Sequence, residues 1–198
     1  MFAGVRSGKW DALLQEPAPD SAFKYASLLD AFGKGLASVR KNDTASANRY
    51  LSKIKLLITD SSLSVRNMPF NKAVQAASIA EGILSGELLA AKGKSLEAIA
   101  ALRRAVAAED ALIYREPKEW PIPARHFLGA ALLQQHNYKD AEKIYREDLL
   151  HNPGNGWALI GLYHSMRDGR RKKEAARYKV AYTVAFTGAD EIPPGSVY

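Results

Sequence analysis

One recurrence limits what this chain can fold into more than any other feature. The stretch "RHFLGAALLQQHNYKDAEKIYREDLLHNP" places Leu128 and Gly129 in one apolar-periodic run, Ala141 and Tyr145 in the next, and Pro153 after both. Ala175 stands 34 residues beyond Ala141, in another such run. Spacing of this kind is the mark of a repeated pair of helices. A small residue at a helix crossing lets two helices approach closely, and a large one fills the groove beside the crossing. A lone pair cannot bury its apolar face, so consecutive pairs have to stack.

The local pattern agrees. In "DAEKIYREDLL" the residues Ala141, Ile144, Tyr145 and Leu149 make one apolar stripe at helical spacing. Lys139, Glu142, Lys143, Arg146 and Glu147 take the opposite face, where Glu142 and Arg146 are placed for an i,i+4 pair. Asn137 is suited to an N-cap, with Asp140 three residues on as a capping-box-like partner. Sustained alternation of period two is not found, so strands are not expected.

Read in this way, the chain divides into about four antiparallel hairpins, over residues 21–58, 71–112, 123–152 and 156–187. Short breaks within each hairpin ("KND", "GKS", "HN", "DGR") force antiparallel neighbours. Residues 1–16 read as a partial leading helix, and 188–198, with two prolines, as an extended tail. The fold expected is all-α, a right-handed α-solenoid making a single repeat domain over 1–198.

The landmarks Leu128, Gly129, Leu132, Ala141, Tyr145 and Pro153 resemble the tetratricopeptide repeat, W-x2-L-G-x2-Y…A-x3-F…P, with Arg125 where the pattern has its first aromatic. The fourth hairpin has Trp157, Gly161 and Ala175, the second Gly86, Gly93, Ala98, Leu102 and Ala105, and the first Gly35, Ala47 and Leu51. From Ala98 to Ala141 the step is 43 residues, nine more than one repeat. The run from Glu116 to Leu162 is also similar to the C-terminal part of a group of longer bacterial tetratricopeptide proteins. Together with an opening, "SGKWDALLQ", that reads as a helix lacking an upstream partner, this suggests the C-terminal part of a longer protein. The resemblance implies a protein-interaction scaffold and carries no catalytic residue with it.

Composition narrows the chemistry. Without cysteine there are no disulfides, thiolate nucleophiles or cysteine metal sites. Apolar runs fall short of the roughly 18–20 residues that span a bilayer, and the start has no signal-peptide pattern. The Ala-rich stretch from Leu88 to Leu112 suits close helix packing better than a coiled coil or membrane segment. Phosphate-binding glycine loops and a nucleophile elbow are missing. Of His126, His136, His151 and His164, the first and last could approach each other, but the sequence names no third ligand. No cofactor or metal is expected, and no enzyme activity. The compartment is not fixed by the sequence, with cytoplasm favoured over periplasm.

The net charge is +7, and seven cations lie between Arg167 and Lys179. A solvated face on a terminal helix is the expectation there, with a patch for nucleic acid or anionic lipid as the alternative. The second alternative is a regulatory or oligomerising region of a longer enzyme.

The expected partner is a protein or peptide in a concave groove lined by the first helix of each hairpin, with Phe32, Arg40, Glu87, His126, Gln134 and Met166 as contact residues. The nine extra residues fall in the Pro/Trp segment between Ala111 and Pro123. Trp120 has two readings. It lines a pocket at the groove mouth with Tyr114, Arg115 and Arg125, or it plugs the widened gap between the second and third hairpins.

Overall fold

The computed structural model describes residues 1–114 and 116–198. They form eleven helices and, apart from one isolated bridge between Asn67 and Lys72, no β-structure among the described residues. The chain divides into two compact units, Met1–Ala124 and Arg125–Tyr198, each holding two of the helix hairpins.

In the first unit, α3 (Lys24–Arg40) pairs with α4 (Thr44–Ile58), and α6 (Ala73–Ala91) with α7 (Ser95–Asp110). The nineteen residues of α6 include only two acids and no base, and the helix packs against α3, α4, α7 and the short α5 (Ser61–Val65). Its apolar, Ala- and Gly-rich surface is what allows so many neighbours. Leu28, Phe32, Leu36, Ile54, Ile79, Ile83, Leu84 and Leu102 make the core. The connection "TDSSLSVRNMPF" between the two hairpins is partly helical, since α5 falls within it. Asp60 caps α5 by accepting from Ser62 N–H at 2.9 Å, and Leu63 is buried beneath it.

The leading segment is two helices rather than one, α1 (Phe2–Arg6) and α2 (Trp10–Gln15), because Gly8 at φ +64° turns the chain between them. Both pack on α3, with Val5 and Leu13 buried, so this segment finds its partner downstream.

In the second unit, α8 (Ala124–Gln134) is followed by α9 (Tyr138–His151), then α10 (Gly156–Asp168) and α11 (Lys172–Ala185). Asn137 caps α9 as its sequence suggests: Oδ1 accepts from Asp140 N–H, and Nδ2 donates to the Asp140 carboxylate at 2.8 Å. The Tyr145 ring is fully buried and faces two glycines, Gly129 of α8 and Gly161 of α10; a Cβ at either would collide with it. The two glycines therefore share one tyrosine, instead of each facing the second helix of its own hairpin.

All four hairpins turn in the same way. Asn42, Gly93, His136 and Arg170 each adopt a left-handed φ, between +57° and +74°. The next residue in each case donates its N–H to the carbonyl five positions back: Asp43 to Ser38, Lys94 to Leu89, Asn137 to Leu132 and Arg171 to Met166, at 2.8–2.9 Å. This is the Schellman ending, which satisfies carbonyls that the last helical turn leaves open.

Candidate interaction surface

The face of α3 expected to meet a partner is covered by the chain itself. Phe32 is fully buried, its ring 5.2 Å from that of Trp120, and Trp120 meets Phe2 of α1 edge-on at 5.5 Å. Arg6 of α1 donates to the Pro121 carbonyl at 3.1 Å. Further along, Lys34 reaches the Glu16 carbonyl at 2.8 Å and pairs with Asp30 at 2.7 Å. Arg40 pairs with Glu87 at 2.5 Å beneath the Trp10 ring, and Lys41 bridges to Asp11. Each half-buried charge on this face thus has an opposite charge or carbonyl beside it, as burial requires.

The Pro/Trp segment is fastened by Glu119. Its carboxylate accepts from Phe70 N–H at 2.9 Å and from the Asn71 side chain at 2.5 Å, while Asn71 also joins both backbone groups of Ile113. Trp120 donates its indole N–H to the Ile122 carbonyl at 2.6 Å and is 1% exposed. At that burial its ring is not open to a partner. Its ring partners Phe2 and Phe32 belong to the leading helix and the first hairpin.

Tyr114 is exposed and donates to Glu116 at 2.9 Å; that bond raises its phenol pKa. Arg115 lies outside the described residues.

In the second unit, His126 and Met166 are fully buried and present no surface to a partner. Their helices carry them inward, away from the groove on which both were expected to be contact residues. His126 Nε2 lies 3.2 Å from Asp148 Oδ2, and Asp148 Oδ1 accepts from Asn152 at 2.9 Å. Arg125 is largely buried, 3.8 Å from Glu147. Gln134, at the end of α8, is exposed.

The residue that the sequence reading missed is Ser196. The tail after α11 folds back onto its own unit, burying Pro193 and Ser196. Ser196 Oγ donates to the His126 carbonyl at 3.1 Å and lies 2.7 Å from the Tyr145 hydroxyl. With the serine proton committed to the carbonyl, Tyr145 is the donor in the second bond. Burial pushes the Tyr145 phenol far above its ordinary pKa. The serine hydrogen-bonds the histidine's backbone, while the imidazole lies beside Asp148.

The basic span is partly neutralised. Arg171 pairs with Glu142 at 2.5 Å and with Glu174 at 3.2 Å, and Arg167 pairs with Asp168 at 2.6 Å. Lys172, Lys173, Arg177 and Lys179 are exposed. Among the described residues there is no cluster of three or more His, Asp or Glu that could hold a metal ion, and no helix long and apolar enough to cross a membrane.

No family model matches the chain, and neither the curated proteins nor the solved structures contain a match to it.

Proposed function

We propose that the chain is a tetratricopeptide-like right-handed α-solenoid serving as a non-catalytic scaffold, which holds an extended segment of a protein partner against the first helices of its hairpins. The observation that carries this reading is the fourfold recurrence of one turn, at Asn42, Gly93, His136 and Arg170. The last two stand 34 residues apart, the same step as Ala141 to Ala175. Equal turns at a repeat-length interval are what a stacked array uses. The wedge of Tyr145 between Gly129 and Gly161 supports it, since one large side chain there seals consecutive hairpins.

A photo-crosslinking residue placed at Gln134, beside the first-helix face, tests the reading against one placed at Lys143 on the outer helix. In extracts of the native source, protein adducts should form from position 134 and not from 143. Adducts from 143 alone, or from neither position, would contradict it.

A further inference from the structure

We infer that the tail residues 190–198 act as an internal ligand, and that the surface beneath them takes in trans an acidic, proline-containing segment with a hydroxyl residue three positions after the proline. This rests on the scaffold reading above and adds the chemistry of the partner.

Three observations carry it. The tail is buried selectively: Pro193 and Ser196, three residues apart, turn inward, whereas Glu191, Ile192 and Pro194 remain exposed. The chain bends at Pro194, Gly195 and Ser196, and this brings the two inward residues, three positions apart, onto one side of a compact non-helical segment. Next, the anchor is specific. The Ser196 hydroxyl accepts from Tyr145 and donates to the His126 carbonyl, so an alanine at that position would leave a buried phenol without its partner. Finally, the segment ADEIPPGSVY carries Asp190 and Glu191 and no cation, whereas the whole chain has a net charge of +7. An acidic ligand is therefore drawn to it. The tail leaves the scaffold at Gly188, whose φ of +84° makes a turn, and Ser196 is one of the residues that anchor it inside the unit.

A tethered ligand competes at a high local concentration, commonly in the millimolar range. A labelled peptide ADEIPPGSVY should therefore bind the full chain weakly, and bind the full-length Ser196→Ala variant at least tenfold more tightly. Replacing serine by alanine in the peptide should remove most of that gain, as should adding Tyr145→Phe to the variant chain. A chain ending at Gly188, checked for its helical circular dichroism, is the second receptor and should match Ser196→Ala.

Equal binding by wild type and Ser196→Ala, or binding indifferent to the peptide serine, would overturn the inference. So would dimerisation of the wild type that the peptide dissolves, since the occupant would then be a second copy's tail. Crosslinks from position 134 with no peptide binding would leave the scaffold standing and remove only the internal ligand. Peptide binding without such crosslinks would do the reverse.

Discussion

Trp120 shows how far a single residue can be read. Three prolines around it mark a stiff connection, and a large aromatic in such a place has to be either a plug or an anchor. Its burial between Phe2 and Phe32 makes it a plug. Neither partner could be identified from sequence, because both are more than 80 residues away and no spacing rule links them. Trp120→Ala should cost about 3–5 kcal/mol in chemical denaturation, from lost burial and an unfilled cavity. His164 gives a second residue-scale expectation. Burial first, and then nearby Arg167, lower its imidazole pKa, while Asp168 pulls the other way. The unfolded chain therefore takes up this proton first as pH falls below the ordinary imidazole value, and stability drops. Melting temperatures at pH 7.5 and 5 should fall further for wild type than for His164→Asn, and equal falls would exclude the effect.

Among elements, the hairpins were the most legible because their signals are local: periodic apolar stripes, an Asn137 cap, breaks of two or three residues. The turn geometry was not fully legible. Gly93 and Asn42 advertise a left-handed residue, but His136 and Arg170 occupy the same position against their intrinsic preference. The recurrence emerges only when the backbone is seen. Arg170→Gly relieves the strained φ at some cost in unfolded-chain entropy, for a net gain of about 0.5–1 kcal/mol. Thermal unfolding should register it as a rise of roughly 1–4 °C; a fall would mean the Arg170 side chain contributes more than its backbone costs. The tail was legible as non-helical from its prolines. Its docking depends on Ser196 meeting Tyr145 and the His126 carbonyl, a match across 51 and 70 residues that no local pattern encodes.

For the whole molecule, the first-helix face matters most, and it is here that the sequence reading and the structure part company. The first helix of each hairpin was expected to line an open groove. Instead α1 and α2 cover α3, and the tail reaches the network at Tyr145 in the other unit. Residues that looked available, Phe32, Trp120, His126 and Met166, are interior, and Arg40 and Glu87 pair with each other. On the proposed reading both outcomes are possible, because a face that holds an extended segment of a partner can equally hold one from its own chain. The small residues at the crossings, by contrast, were readable in advance, since close approach admits few alternatives.

The claim on which the scaffold reading depends is that the third and fourth hairpins close on one another through a large side chain set between two small ones. Nuclear Overhauser contacts from the Tyr145 ring in the full chain test it most directly. The account predicts contacts to the α-protons of both Gly129 and Gly161; contacts to Gly129 alone, or to neither, would contradict it.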